Sequence, residues 1–133
     1  MGNALYPKFN EQALQGGVNL ASGNIKAVLV DLADYTYDAA HEFLSDVPAA
    51  ARVATSGNLA SKTFSNGVFD SADPSFAAAT GDVSEALILF IDTGTPGTSR
   101  LIAFYDTGVS GLPITPNSGN IPITVNASGW FSL

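Results

Sequence analysis

The residue pattern most suggestive of chemistry is a repeated triplet, Asp92-Thr93-Gly94 and Asp106-Thr107-Gly108. An aspartic protease carries Asp-Thr-Gly after a strand, where two carboxylates share one proton and activate water. Both copies here follow an apolar run, but only a short link separates the two runs. If these fold as neighbouring strands, the carboxylates stand at far ends of one hairpin rather than face to face. A two-lobed protease keeps its copies in separate lobes, and a dimeric one has a single copy per chain. Asp, Thr and Gly are also what strand ends use to start turns. That turn role is the reading taken forward, with turn amides as the expected partners of Asp92 and Asp106.

His41 is the only histidine, so a Ser-His-Asp arrangement would have to use it, with Asp38 or Asp46 close in sequence. No Gly-x-Ser-x-Gly nucleophile elbow is present. His41-Glu42-Phe43 lacks the second histidine of a zinc helix. Asp70, Asp73 and Asp82, with backbone carbonyls, are the available ligands for a calcium loop, yet the spacing over 70–76 matches no EF-hand, and ordinary turn aspartates are the simpler use. No Gly-rich phosphate loop exists. Lys26, Arg52 and Lys62 are too scattered for a nucleic-acid patch. Tyr35 and Tyr37, two apart on a strand-like stretch, would suit a sugar-stacking surface, with filling one face of a sandwich as the plainer use. No residue is assigned a catalytic, cofactor-binding or metal-binding role, and the expectation is a protein without enzymatic activity or cofactor.

Composition narrows the classes further. A chain of 133 residues reads as one domain, large enough to bury a core without staples. With no cysteine, disulfides and thiolate metal sites are excluded. The net charge is -7, with five basic residues against twelve acidic. Binding to phosphate backbones or anionic lipid needs Lys and Arg that this chain scarcely has, so neither nucleic acid nor membrane is an expected partner. The charged fraction is 13%, low beside a typical ~25%. Small polar residues fill the surface instead, and such a surface packs against other protein with little charge to desolvate. No stretch approaches the ~20 apolar residues of a membrane span. The opening MGNALYPKFNEQ lacks the basic flank and apolar run of a signal peptide, and Tyr6 misses the Ser/Thr of the myristoylation pattern. Asn126-Ala127-Ser128 is a formal glycosylation sequon that matters only in a secretory pathway.

The elements that must position these residues are strands. Ala86–Ile91 and Leu101–Tyr105 are short apolar runs joined by a link containing Gly94, Pro96 and Gly97, which predicts an antiparallel hairpin. Neither run alternates with polar residues, so both faces should be covered. Asn24–Leu32 predicts another strand. Arg52 to Phe76 reads as strands and turns, with Asn66-Gly67 the strongest hairpin signal because both turn residues take positive φ. Asp73-Pro74 marks a further turn, and Phe76 to Ala79 is taken as an edge strand. Ile121, Ile123 and Val125 alternate on one face, with Pro122 restricted to a strand start or edge. Trp130 to Leu133 should tuck in. Asp38 is the expected N-cap of a short helix over Ala39–Leu44, ended by Pro48. At the N-terminus, Pro7 suits a first helical position and Gly16-Gly17 a stop, with Tyr6, Phe9, Ala13 and Leu14 as an apolar stripe; an extended arm with aromatic anchors fits equally. Together these predict an all-β antiparallel β-sandwich or jelly-roll-like domain over 21–133, an arm or short helix over 1–20, and one short helical connection.

The chain also resembles a family of small tailed-bacteriophage virion proteins. The resemblance is carried by NALYPKF at 3–9, by 25–59 (IKAVLVDLADYTYDAAHEFLSDVPAAARVATSGNL), by GVFDSAD at 67–73, by 85–107 (EALILFIDTGTPGTSRLIAFYDT) and by 111–133 (GLPITPNSGNIPITVNASGWFSL). These proteins look like capsid decoration, or cement, proteins, often β-sandwich or jelly-roll units seated on the major capsid protein as dimers or trimers. The resemblance therefore implies a place on the capsid exterior after synthesis in a bacterial cytoplasm, the major capsid protein as partner, and a homo-oligomer. It carries no catalytic residue over. A tail, baseplate or fibre component, or a carbohydrate-binding β-sandwich using Tyr35, Tyr37 or Trp130, are the alternatives. The expected interface residues are Leu5, Tyr6, Phe9, Leu14 and Trp130. Their rival use is intramolecular, closing one end of the sandwich. On the interface reading, removing 1–16 should leave the domain folded.

Overall fold

A computed structural model describes residues 3–77, 80–107 and 109–132, the side chain of Pro122 aside. The order is β1 (Ala4–Leu5), α1 (Pro7–Gln15), β2 (Asn24–Val30), β3 (Arg52–Thr55), β4 (Thr63–Ser65), β5 (Val68–Asp70), β6 (Ser75–Phe76), β7 (Ala86–Asp92), β8 (Leu101–Tyr105), β9 (Ile121–Pro122) and β10 (Phe131–Ser132). Antiparallel pairing builds a five-stranded sheet in the order β1-β8-β7-β2-β3, a three-stranded sheet β10-β5-β4, and the pair β6-β9. The protein is an all-β, sandwich-like domain with one short α-helix.

The predicted hairpin is the middle of the large sheet. β7 pairs with β2 from Asn24↔Asp92 to Val30↔Ala86, and with β8 from Leu87↔Tyr105 to Phe90↔Leu101. All of β8 and the first five residues of β7 are buried, as strands without alternation should be. Cross-strand partners share a face. Ala27, Leu29, Leu87, Leu89, Ala103 and Tyr105 therefore point one way, and Val28, Val30, Ala86, Ile88 and Phe104 the other. Trp130 covers the first face, its ring 5.4 Å from Tyr105. Tyr35 and Tyr37 cover the second, 6.5 and 5.5 Å from Phe104.

The N-terminal segment resolves in favour of a helix. Pro7 opens α1, and Gly16 closes it in the left-handed region at φ 73°, donating to the Ala13 carbonyl. The segment is not a detached arm. Ala4 and Leu5 pair with Phe104 and Ala103, and the Tyr6 amide donates to the Ile102 carbonyl. It clasps the sheet edge from both sides: Tyr6 lies 5.0 Å from Tyr37, while Phe9 meets Phe131 edge-on at 5.9 Å.

The helix expected over Ala39–Leu44 is replaced by two 3-10 turns, Leu44–Asp46 and Ala49–Ala51. Asp38 does accept an amide, from Ala40 at 2.8 Å, but the backbone is then captured by the sheet. Phe43 bridges Arg100, and the Leu44 amide donates to the Ser99 carbonyl. A chain held to a strand at 43–44 has no free amides to wind an α-helix through the same residues. Asn66 and Gly67 take φ 54° and 77° between β4 and β5, as a two-residue hairpin requires. The expected edge strand at Phe76 begins as β6, while Ala78 and Ala79 lie outside the described residues, as does Leu133. The alternating run at 121–125 is a strand only over Ile121–Pro122; Thr124 then bridges Ser110.

Two tethers hold the loops. The Lys62 ammonium donates to the carbonyls of Leu20, Ala21 and Gly23 at 2.7, 3.2 and 2.6 Å, fastening the 19–23 turn to the lead-in of β4. Gly129 sits at φ 94°, and a Cβ there would fall 2.7 Å from Val68 Cγ1 and 2.9 Å from the Phe69 carbonyl oxygen. Backbone cannot retreat as a side-chain tip does. Gly129→Ala should therefore destabilise the protein by about 2 kcal/mol or more, measured by chemical denaturation; an unchanged midpoint would show that the last turn relaxes freely.

Candidate functional site

The Asp-Thr-Gly carboxylates do not meet. β7 ends at Asp92 while Leu87, near its start, pairs with Tyr105, so Asp106, one residue further on, lies at the opposite end of the ladder, roughly 20 Å away at ~3.4 Å per residue. Asp92 instead accepts the Gly94 amide at 3.0 Å and pairs with the Lys26 ammonium at 3.0 Å. Beside it Thr93, Thr98 and Ser99 join hydroxyls over the link, with Thr93 Oγ1 2.6 Å from Thr98 Oγ1. The Asp106 amide donates to Asn3 Oδ1, tying this end of the hairpin to the N-terminus. Gly108 lies outside the described residues. Asp92 serves its turn as expected, and two carboxylates at opposite ends of a ladder do not form a dyad.

His41 belongs to a hydrogen-bonded chain. Its Nδ1 lies 2.9 Å from the Tyr35 hydroxyl, which lies 2.8 Å from the Tyr6 hydroxyl. A triad would give Nδ1 to a carboxylate; here a phenol holds it. Tyr6 is wholly buried, and burial raises its pKa far above the ordinary range. The Tyr35 hydroxyl is pushed up to about 12, again chiefly by burial. Both phenols are therefore neutral hydrogen-bonding groups. Tyr37 is bonded too, donating to the Leu5 carbonyl at 3.1 Å. The tyrosines thus fill and fasten one face of the sheet, the plainer of the two uses expected of them.

Of the three aspartates considered for a cation, Asp70 accepts the Ser71 amide and Asp73 the Val125 amide. Asp82 instead meets Asp31 and Asp34, with oxygens of all three within 4.8 Å of one another. Asp31 is buried and accepts the Ala33 amide at 2.9 Å. The spacing of Asp31 and Asp34 was open to view in the sequence; their meeting with Asp82 depends on the fold, which brings the lead-in to β7 beside the end of β2.

The five expected interface residues separate. Tyr6, Phe9 and Trp130 are buried in the core, and Leu5 packs against it. Trp130 donates through Nε1 to Ser71 Oγ, and its carbonyl accepts the Tyr105 hydroxyl at 2.7 Å. These four serve the intramolecular use, because the apolar faces of β7 and β8 need them as cover. Removing residues 1–16 would take away Tyr6 and Phe9 and open the core, contrary to the expectation of an intact domain. Leu14 alone of the five projects outward, at 89% exposure. Sequence reasoning passed over Phe64, whose exposure is 50%, although its place in an Asn-Gly hairpin was the available signal.

A groove of about 480 Å³ runs between the β1 and β10 ends, with Asn3, Tyr105, Asn126, Ser128 and Trp130 among its walls. Its polar groups are largely engaged: Asn3 Oδ1 accepts from Asp106 and Thr107, and Asn126 Oδ1 from the Ser128 amide. A scan against protein-family models finds no match to this chain, and a search of curated proteins finds none either.

Two carboxylates give the region a pH signature. Asp46 is held below the ordinary carboxylate range by the amides of Glu42 and Phe43, and Asp92 by the Gly94 amide and then Lys26. In each case the fold prefers the charged form. The stability they add is complete above the unfolded value of about 3.9 and disappears as pH falls through the lowered folded values. The melting temperature should therefore drop on acidification below about pH 4, and the drop should be shallower in Asp46→Asn and Asp92→Asn. Equal slopes in all three proteins would remove these carboxylates from the acid transition.

Proposed function

We propose that this chain is a non-enzymatic virion structural protein of a tailed bacteriophage, a capsid decoration (cement) protein that binds the major capsid lattice and stabilises it by bridging subunits. The phage setting comes from the resemblance in sequence. The observation that supports a static, contact-making role is that the chemically versatile groups are used inside the chain. His41 and its tyrosines form one internal chain of hydrogen bonds, Asp92 serves a turn and an ion pair, and Trp130 packs and donates inward. Three large apolar residues are left facing outward among those described, Leu14, Phe64 and Val83.

Leu14 is the residue on which the capsid contact is placed. It stands on α1, which is clamped to the sheet edge through Tyr6 and Phe9 and so presents it on a rigid base. A fixed apolar side chain loses little freedom on docking. Leu14→Asp should weaken binding to undecorated capsids by about tenfold or more while leaving the melting temperature unchanged, since the side chain touches little of its own fold. Co-sedimentation with capsids reads the first effect and calorimetry the second. Normal decoration by the variant would remove α1 from the contact, and finding the protein only at the tail, in a few copies, would overturn the decoration reading itself.

A further inference from the structure

The β4 edge of the three-stranded sheet, which no other strand among the described residues pairs, points to a mode of self-association. Ser65 and Val68 flank the two-residue Asn66-Gly67 turn, which makes them the hydrogen-bonded pair of the hairpin. Phe64↔Phe69 is then a non-hydrogen-bonded pair. The other side of Phe69 agrees: its carbonyl turns to β10, where it accepts the Trp130 amide at 2.8 Å. The N–H and C=O of Phe64 consequently point outward from β4. All three β4 residues are exposed, and none carries a charge.

Three other edges, those of β3, β1 and β10, have neighbouring segments or walls beside them. At β3, a Cβ on Gly81 would fall 3.0 Å from Val53, so the 81 segment lies against that strand. The β1 and β10 ends face a common groove, with Leu5 and Phe131 in its walls. Edge strands are commonly guarded by lysine. Here Lys62, next to β4, is turned away onto the carbonyls of 20–23.

We propose that β4 pairs antiparallel with β4 of a second copy about a two-fold axis at Phe64. The two Phe64 residues exchange both N–H···O bonds, and Thr63 faces the partner's Ser65. A like copy suits this edge because a chain of net charge -7 repels itself wherever carboxylates approach, whereas Thr-Phe-Ser against itself opposes no like charges. The side chains match as well. Phe64 stacks on Phe69 at 5.4 Å, and Phe69 lies 5.5 Å from Phe131, so pairing extends one aromatic row across the axis and joins two three-stranded sheets into one of six. The strand contact is small beside a standard interface of about 800 Å² per partner, so association is weak in free solution and stronger when copies are held side by side.

Sedimentation equilibrium over a wide concentration range, with hydrogen exchange at each concentration, tests this. The expected result is a mass rising towards the dimer, slowing of the Phe64 amide in step with it, and a monomer at every concentration for Phe64→Lys, which sets two ammonium groups against each other on the axis. A wild-type monomer up to the solubility limit overturns the proposal. So does a Phe64 amide whose exchange ignores concentration, a reading that needs no variant. A trimer also overturns it, because two-fold edge pairing closes at two. None of these outcomes depends on capsid binding, so this pairing and the decoration reading fail separately.

Discussion

The constraint on which the whole structure depends is that β2, β7 and β8 are apolar on both faces. A strand of this kind satisfies its backbone through two neighbours, but its side chains still require two separate covers. The chain supplies them unequally. One cover comes from a second sheet and the Trp130 turn; the other is an irregular stretch bearing Tyr35 and Tyr37. The second is held less by regular structure than by side-chain bonds: Tyr6 to Tyr35, Tyr35 to His41, Tyr37 to the Leu5 carbonyl. Buried hydroxyls need partners, and meeting that need fixes the irregular layer onto the sheet.

The same demand explains the N-terminal segment. A nine-residue helix is marginal alone, and a two-residue strand contributes little pairing. Together they place Tyr6 on one side of the sheet edge and Phe9 on the other. The segment is therefore as much a part of the core as β2. The aromatic residues that looked like anchors for a neighbour are consumed at home, because the central strands had faces left to cover.

This marks the line between what was legible in the sequence and what was not. The hairpin at 86–105 and the Asn66-Gly67 turn are local matters, set by run length and by φ > 0, and they could be read directly; Pro7 and Gly16 marked the bounds of a helix, but left an extended arm equally open. The destination of Tyr6 and Phe9 could not, because an apolar side chain on a terminal segment is equally satisfied by its own core or by another chain's. The 39–44 helix was misplaced for a related reason: Asp38 gives a true local signal, but the bridge from Phe43 to Arg100 is long-range and overrides it. Asp82 was set beside its near neighbours in sequence, whereas the fold sets it beside Asp31 and Asp34.

Electrostatics then decide where an outward contact can form. Of the five basic residues, Lys8 pairs with Glu11, Lys26 with Asp92 and Arg100 with Glu42, while Lys62 is spent on three carbonyls. Arg52 lies at the start of β3 with Nε buried. The basic side chains are thus largely committed within the chain, and the twelve acidic residues set the sign of the outer field. A partner of like sign, including a second copy, is repelled over most of such a surface and tolerated only where charge is absent. The Thr63–Ser65 edge is a place of that kind, on the outer strand of the small sheet, whereas Leu14 offers its apolar contact on a helix that also bears the Lys8–Glu11 pair. Neither place belongs to the buried faces of β7 and β8, so a contact at either would leave the core that supports it undisturbed.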